Sequence, residues 1–239
     1  MDEASKVGSS PFVLDIVTGT RDRRADFFRM LDSVIAHTKD VPWRMFIADA
    51  SDVPYVADAV PTANCIALRE SPRLGHVKGY NRLFNMCTSH WVTWLNDDVE
   101  VQPGWASQNI RFMEKNRDIG IGAIPFDEDG RRHVQTYHGI QYGSFGFLRR
   151  SLGVACGWFD DYLSFYGGDT SLCFKAFLSG KGVAETDSVA HLHHRTHDAA
   201  RKGNEGQQDG DIEKMLAKYQ HWLPFLREES QRHNMAVRR

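Results

Sequence analysis

The sequence predicts a single α/β domain in which a mostly parallel central sheet is flanked by helices. Apolar runs of strand length alternate with helical periodicity, in the order strand, helix, strand, strand, helix, strand over the first hundred residues. Polar side chains directly follow several of these runs, as at the edge of an open α/β sheet where ligands bind. The 239 residues suffice to bury one full core, and we assign residues 11–194 to this domain, after a flexible segment at 1–10.

The first three strands and the helix between them follow from local pattern. Residues 11–18 (PFVLDIVT) predict a buried strand that ends in the turn Gly19–Asp22. A helix to about His37 is predicted by an apolar stripe at i, i+3, i+4, i+7 and i+8, formed by Phe27, Met30, Leu31, Val34 and Ile35. Residues 43–48 predict a second strand and residues 64–68 a weaker third.

The segment from Gly75 to Cys87 predicts an amphipathic helix with an apolar face and a polar face. Val77, Tyr80 and Phe84 form an apolar stripe that packs, while Lys78, Asn81 and Asn85 share another face. That polar face is either solvated or a binding surface, and its place just before the next strand favours binding.

Residues 91–100 (WVTWLNDDVE) are the centre of the predicted site. An apolar strand delivers Asn96, Asp97 and Asp98 at its end. Adjacent carboxylates repel each other unless a positive group lies beside them, and oxygen ligands of this kind suit Mg²⁺ or Mn²⁺ carried with a phosphate-bearing substrate. The same residues would also suit a polar loop that caps the following helix.

The second half predicts further alternation. A helix spans about residues 103–116, a strand 119–124 and a turn 127–132, and short strands at 133–140 and 144–148 precede a short helix at 149–157. The aromatic-rich stretch 158–169 is either core or a stacking platform for a sugar or other ring. Asp169 then opens a helix that ends near Gly180, as an N-cap or as a functional carboxylate.

A last strand is predicted at 183–190, and it runs into the sequence HLHHRTH. Because side chains alternate along a strand, Val189, His191 and His193 face the same way, either as satisfied core residues or as metal ligands. Residues 195–211 are polar and predict a mobile loop, which we interpret as a lid over the site. Residues 212–239 predict a closing amphipathic helix, disturbed at Pro224.

Composition argues against nucleic-acid binding, a disulfide framework and a membrane-spanning segment. The net charge of −2 gives no reason to expect nucleic-acid binding, and the four cysteines, with no CxxC pair, are interpreted as reduced core residues. The polar N-terminus and the lack of a long apolar run predict a cytoplasmic protein without a transmembrane segment.

Five motifs in this order resemble the family 2 inverting glycosyltransferases of GT-A fold, over about residues 12–194. They are MFIADASD with Asp49, GHVKGYNRLF with Asn81, LNDDVEVQPGW with Asp98, GWFDDYLSFYGGD with Asp169, and the late histidines His191 and His193. The resemblance implies a hexosyltransferase-type enzyme that moves a sugar from a nucleoside-diphosphate donor to an acceptor hydroxyl. Residues 11–100 would form the nucleotide-binding half and residues 101–194 the acceptor half.

The resemblance also implies roles for individual residues. Asp98 with His191 or His193 would hold Mn²⁺ or Mg²⁺, and Asp169 would be the general base that accepts the acceptor proton. Donor binding is assigned to Thr18, Arg21, Asp49, Lys78, Asn81, Asn96 and Asp97, with a UDP-sugar favoured through Asp49. Acceptor binding, to a glycan or another hydroxyl-bearing compound, is assigned to Trp158, Asp161 and Tyr166.

The sequence differs from the family pattern at three positions, and two other functions remain as alternatives to the glycosyltransferase. Asn96 replaces the first acid of the metal motif, Gly168 a glutamate before the base, and Ser171 a later acid. The loss of carboxylates that position an acceptor would fit a catalytically degenerate carbohydrate-binding or scaffold protein. A sugar-nucleotide pyrophosphorylase is the other alternative, because Gly19-Thr20-Arg21 resembles its phosphate loop but lacks the additional glycines.

Overall fold

The computed structural model describes residues 11–60, 63–194, 202–203 and 206–237. It contains three sheets, whose strands are β1 (Leu14–Thr20), β2 (Trp43–Asp49), β3 (Cys65–Arg69), β4 (Trp91–Asn96), β5 (Val99–Glu100), β6 (Ile119–Ala123), β7 (Phe126–Glu128), β8 (Arg131–His133), β9 (Gln135–Tyr137), β10 (Ile140–Tyr142), β11 (Gly146–Arg149), β12 (Gly182–Glu185) and β13 (His191–His193). The helices are α1 (Arg24–His37), α2 (Val56–Ala59), α3 (His76–Phe84), α4 (Trp105–Lys115), α5 (Arg150–Cys156), α6 (Gly168–Leu178), α7 (Gln208–Tyr219) and α8 (Leu223–Val237), with a 3₁₀ turn at Gln220–Trp222 between the last two.

The main sheet has seven strands in the order β12-β6-β11-β4-β1-β2-β3. Its neighbouring strands are parallel except for β11, which runs antiparallel to both β4 and β6. The register aligns Gly19 with Asn96, and Thr20 with Asp49, which in turn aligns with Arg69. The carboxyl ends of β1 to β4 therefore meet at one edge, and the predicted α/β domain with a mostly parallel sheet is confirmed.

Both faces of this sheet are buried. Leu14 and Ile16 of β1 belong to the core on the α1 face, whereas Val17 faces the core that contains α3 and α6. A strand buried on both sides reads as an almost continuous apolar run, which is why β1, β2 and β4 were visible in the sequence. Each large apolar side chain that is fully buried contributes about 1.5–3 kcal/mol to folding.

Four predictions about the second half were wrong. Residues 127–132 are a β7–β8 hairpin around Asp129 and Gly130 rather than a simple turn, and the predicted strand 133–140 is divided by His138, which has a positive φ of 50°. The predicted strand 183–190 ends already at Glu185, in β12, which pairs with β6 in the main sheet; after non-strand residues 186–190 the chain forms β13, which joins a separate sheet of order β5-β13-β7-β8. The N-cap of α6 is Gly167, in a left-handed conformation, so Asp169 lies inside the first turn.

The predicted lid at 195–211 lies partly outside the described residues, at 195–201 and 204–205. Its last part was wrongly placed, because Gln208 already begins α7 and Asp211 is buried. Residues 212–237 are helical with a 3₁₀ turn before Pro224, close to the predicted disturbance. Among the described helices, none combines the length and the apolar character that a bilayer span requires.

Candidate active site

A cavity of about 470 Å³ lies at the edge where β1 to β4 end. Its floor comes from the strand ends and the turns that follow them, and one side is closed by the loop before α6. The residues that line it include Arg21, Arg23, Glu70, His76, Asn96, Asp97, Asp98, Tyr137, Tyr142, Phe165, Tyr166, Asp169, His193, Gln208, Ile212 and Met215. Open α/β sheets bind ligands at this position.

Asp97 contacts both a hydroxyl and a guanidinium at the end of β4. Its Oδ2 accepts a hydrogen bond from Thr20 Oγ1 at 2.9 Å, and the Tyr55 hydroxyl lies 2.6 Å from the same Thr20 oxygen. Its Oδ1 lies 3.3 Å from Arg23 Nη1. Burial raises the pKa of Asp97 to about 7 although the Arg23 guanidinium opposes the rise, and repulsion from Asp98 adds to it.

Asp98 lies between a guanidinium and an imidazole. Arg23 Nη1 is 3.7 Å from its Oδ2, and His193 Nε2 is 3.4 Å from its Oδ1. Asp98 and His193 are far apart in the sequence, and backbone pairing brings them together. The His194 amide donates a 2.8 Å hydrogen bond to the Asp98 carbonyl, and β13 pairs with β5 directly after Asp98. The second imidazole nitrogen, His193 Nδ1, lies 3.7 Å from Glu128 Oε2.

The other candidate histidine lies outside the cavity that contains the carboxylates. His191 is fully buried, does not line the cavity, and packs its ring at 5.3 Å from that of Trp105. Within the described part of the chain, neither of its ring nitrogens has a hydrogen-bond partner, and burial lowers the pKa of His191 to about 3. Of the two predicted ligands, His193 alone lines the cavity with Asp98.

Among the described residues, Asp98 and His193 could hold a divalent cation together with ligands from a substrate. No group of three or more His, Cys, Asp or Glu side chains within the described residues is arranged to hold a metal ion. Asp98 and His193 offer a carboxylate and an imidazole 3.4 Å apart. Mg²⁺ and similar cations are commonly held by one or two carboxylates plus substrate phosphates, so this pair fits such a site.

Asp169 lines the cavity from its other side. It stands in the first turn of α6, where its Oδ1 accepts hydrogen bonds from the Thr170 amide at 2.7 Å and the Thr170 hydroxyl at 3.3 Å. Burial raises the pKa of Asp169 to about 6, against the effect of the Thr170 amide. A carboxyl poised in this range is suited to accept a proton near neutral pH.

The departures Gly168 and Ser171 have structural reasons. A Cβ at Gly168 would lie 2.7 Å from Phe159 and 3.1 Å from Val77, so a longer side chain does not fit without a shift of these neighbours. Ser171 is fully buried, and its hydroxyl donates to the Gly168 carbonyl at 2.8 Å and accepts from the Asp160 amide at 3.2 Å. Both residues shape the turn that carries Asp169.

Three of the seven residues assigned to the donor, Arg21, Asn96 and Asp97, line the cavity. Asp49 is buried outside it, and its carboxylate accepts hydrogen bonds from the amides of Ser51, Tyr55 and Val56 at 3.0–3.2 Å. This arrangement caps the start of α2. The nearby strand residue Thr18 is also buried outside the lining.

The two α3 residues assigned to the donor lie elsewhere. Lys78 is exposed and does not line the cavity. The Asn81 side chain exchanges two 3.0 Å hydrogen bonds with the Phe159 backbone, which fixes α3 to the aromatic loop. On the acceptor side, Tyr166 lines the cavity, whereas Trp158 is buried against Phe84 and Asp161 is exposed outside it.

Several lining residues were missed from the sequence. Arg23 stands in the charged run RDRR three residues after β1, a signal that could have singled it out. Glu70 follows β3 and is buried, and burial raises its pKa against a hydrogen bond from the Leu74 amide. His76 begins α3, and burial lowers its pKa to about 4, so the imidazole is neutral. Nothing in the local pattern marked Glu70 or His76.

Comparison with known proteins is consistent with this geometry. A sequence model described as glycosyl transferase family 2 matches residues 15–166. No curated protein matches the chain at a significant level. Among solved structures, the mannosyltransferase PcManGT from Pyrobaculum calidifontis, in complex with GDP-Man and Mn²⁺, has a TM-score of 0.66 at 13% identity, covering 93% of this chain and 74% of that one.

A second similar structure is TarS 1–349 from S. aureus in complex with UDP-GlcNAc, with a TM-score of 0.63 at 13% identity. The match covers 77% of this chain and 59% of that one, and for S. aureus TarS itself the corresponding values are 76% and 36%. This chain therefore spans only part of the length of the TarS structures. At such identity these likenesses establish the fold, the GT-A arrangement expected from the resemblance.

Proposed function

Because the chain belongs to glycosyl transferase family 2, we propose that it moves a sugar from a nucleoside-diphosphate donor to an acceptor hydroxyl, with inversion at the anomeric carbon. The observation that carries the proposal is that the Asp98–His193 pair and the Asp169 carboxylate line one cavity. A departing pyrophosphate needs positive charge beside it, and a reacting hydroxyl needs a base that takes its proton. The Asp98–His193 pair with a bound cation would supply the first, and Asp169 would supply the second.

We assign donor binding to the part of the cavity that contains Arg23, Asp97, Asp98 and His193, which is called the donor end. Asp98 and His193 would hold a divalent cation together with the donor diphosphate, as the Mn²⁺ and GDP-Man of the PcManGT complex suggest. When bound, such a cation neutralises the negative charge that develops on the leaving group. Arg23, rather than the donor-binding candidate Lys78, would pair with the phosphates, because its guanidinium lies in the cavity beside both carboxylates. Asp97 orients hydroxyls of the sugar or ribose.

Asp169 is proposed as the general base. The acceptor hydroxyl has a pKa far above neutral, so a base must take its proton as the new bond forms. Attack from the Asp169 side, opposite the diphosphate, inverts the anomeric carbon. The described lining around Asp169 is aromatic and neutral, with Tyr137, Tyr142, Phe165 and Tyr166, which suits a ring-bearing acceptor such as a glycan.

A carbohydrate-binding protein without turnover is the second candidate. The lack of carboxylates at Gly168 and Ser171 favours it, because an acceptor held less firmly reacts more slowly. The pyrophosphorylase alternative has no such observation behind it, and the family match speaks against it.

A donor screen followed by a turnover assay tests the proposal. UDP-, GDP-, dTDP- and CDP-sugars are added with Mn²⁺ and the melting temperature is recorded. A matched donor at a hundred times its Kd stabilises the fold by about 2.7 kcal/mol. For a chain of this size that corresponds to roughly 5–11 °C. Mn²⁺-dependent release of nucleotide or transfer of sugar supports the enzyme, and binding without turnover supports the carbohydrate-binding protein. No stabilisation by any donor contradicts the enzyme.

A further inference from the structure

Helix α7 forms one side of the cavity although it lies beyond the residues matched by the family model. Gln208, Ile212 and Met215 project from it into the lining that also contains Asp169. The contact is close, since the Met215 sulfur lies 3.1 Å from the position that a Cβ on Gly167 would take. The helix is therefore part of the site rather than a distant support.

Asp211 attaches α7 to the loop that precedes Asp169. Its carboxylate is 2% exposed and accepts hydrogen bonds from the amides of Ser164 at 3.1 Å, Phe165 at 2.8 Å and Tyr166 at 3.1 Å. Although burial opposes it, these amide hydrogen bonds hold the pKa of Asp211 below its usual value. A carboxylate that accepts three backbone amides fixes the conformation of all three residues.

A second attachment lies at the start of the same loop. Asp160 accepts hydrogen bonds from the Tyr219 hydroxyl at 2.7 Å and from Lys218 Nζ at 3.0 Å, both at the end of α7. Lys175 of α6 reaches the same carboxylate at 3.0 Å. The loop 160–166 is thus held at both ends by one helix, and Gly167 and Asp169 follow it directly.

The donor end depends on other elements. Arg23, Asp97 and Asp98 follow β1 and β4, and His193 lies on β13. None of the hydrogen bonds described for these residues involves α7. A change in α7 should therefore act on one end of the cavity and leave the other intact.

We propose that α7 is the acceptor-side wall of the active site and that Asp211 is a positioning residue, which sets Tyr166 and Asp169 against the acceptor. The inference rests on the proposed function, since it takes Asp169 as the base. A displacement of about 1 Å in the reacting geometry costs on the order of a hundredfold in rate. In Asp211→Asn an NH₂ group replaces one carboxylate oxygen and faces at least the Ser164 amide in either orientation, and the negative charge that the three amides share is lost, so the loop is held less firmly.

The experiment compares Asp211→Asn with Lys214→Gln, measured with a donor and acceptor pair that the wild type uses. Lys214 lies one turn further along α7, and its exposed ammonium is 3.5 Å from Asp211 without touching the loop. In Asp211→Asn, kcat should fall by roughly ten- to a hundredfold, while the KM for the donor and the stabilisation by nucleotide with Mn²⁺ stay within about twofold. In Lys214→Gln all of these should stay within about twofold.

Met215→Ala is the second variant, because it shortens a lining side chain without touching the Asp211 contacts. It should raise the KM for the acceptor severalfold and leave that for the donor unchanged. This result decides the matter if Asp211→Asn does not fold, and an unchanged KM for the acceptor would then overturn the inference.

The outcomes separate the two proposals. A wild type that binds no nucleotide and transfers nothing refutes the proposed function. A wild type that turns over, with an Asp211→Asn variant of equal kcat, overturns the positioning role alone. An equal loss of turnover and nucleotide binding also overturns it, because a general defect in folding moves both quantities together.

Discussion

The raised pKa of Asp169 predicts how transfer depends on pH. The carboxyl has a pKa of about 6, where burial places it, and only its deprotonated form can accept the acceptor proton. At saturating donor and Mn²⁺, kcat should be level above pH 7 and fall on the acidic side. At pH 5 about one molecule in eleven carries the base in its active form, so the rate should be roughly tenfold below the plateau.

The comparison with an ordinary aspartate makes this loss diagnostic. A carboxyl with a pKa of 3.8, the usual value for aspartate, would still be about 94% deprotonated at pH 5. Asp169→Asn should lose about 10²–10⁴-fold in transfer and show no acidic limb near pH 6. Asp187→Asn makes the same chemical change at an exposed residue outside the cavity and should follow the wild type.

Titration of Asp97 could produce a similar fall of kcat at acidic pH, so the assay also includes Asp97→Asn. Burial raises the pKa of Asp97 to about 7, and its titration would disturb the donor end. Asp97→Asn should be slower than the wild type yet keep its limb near pH 6. A wild-type kcat that stays level down to pH 4.5, or a limb that vanishes in Asp97→Asn and survives in Asp169→Asn, would refute the assignment of Asp169.

Three further predictions concern the metal pair, acid stability and the turn before the base. His193→Gln should weaken Mn²⁺-dependent nucleotide binding at least tenfold by calorimetry, whereas His194→Gln, whose ring contacts Glu100 instead, should change it less than twofold. His191 has a folded pKa of about 3 against 6.5 when unfolded, so the unfolded chain binds the proton more readily and stability falls as pH drops below 6.5. Denaturation at pH 6.5 and pH 5 should differ by about 2 kcal/mol from this residue, and His191→Phe should remove that difference. Gly168→Glu should destabilise the fold by about 1–3 kcal/mol because its Cβ would lie 2.7 Å from a neighbouring ring, while Gly210→Ala, on α7 with open space around it, should be neutral or slightly stabilising.

The donor half of the fold was predictable because its information is local. The runs that become β1, β2 and β4 are mostly apolar, since both faces of the sheet are covered, and β2 and β4 end at the polar residues Asp49 and Asn96. Asp97 and Asp98 could therefore be placed at the sheet edge from the sequence alone. The donor role of Asp49 was expected from the family resemblance instead. The structure places its carboxylate on the first amides of α2, a four-residue helix that leaves no periodic signal in the sequence.

The position of β13 could not be predicted from the local sequence pattern, because it depends on which strands β13 pairs with. Residues 183–193 alternate as one strand would, but Asp187 is exposed in a turn braced by a 2.8 Å contact between Thr186 and Ser188. The chain beyond that turn pairs with β5 and β7, and this pairing brings His193 to Asp98. Which partner a strand selects is a tertiary property, so the sequence left His191 and His193 as alternatives. The role of α7 was hidden for the same reason, since Ile212 and Met215 have the spacing of an ordinary buried stripe.

The charges of the donor end explain why a cation and a diphosphate should bind together. Among the described residues, Asp97 and Asp98 share the Arg23 guanidinium, at 3.3 and 3.7 Å, and these three side chains together carry about one negative charge when ionised. The diphosphate of a nucleotide sugar would add about two more in a cavity where charges are poorly screened. A divalent cation reduces that sum to about one, so each ligand raises the affinity for the other by the same factor. The raised pKa of Asp97 has a different main cause, since burial contributes most to it, repulsion from Asp98 adds to it, and Arg23 only partly opposes the two.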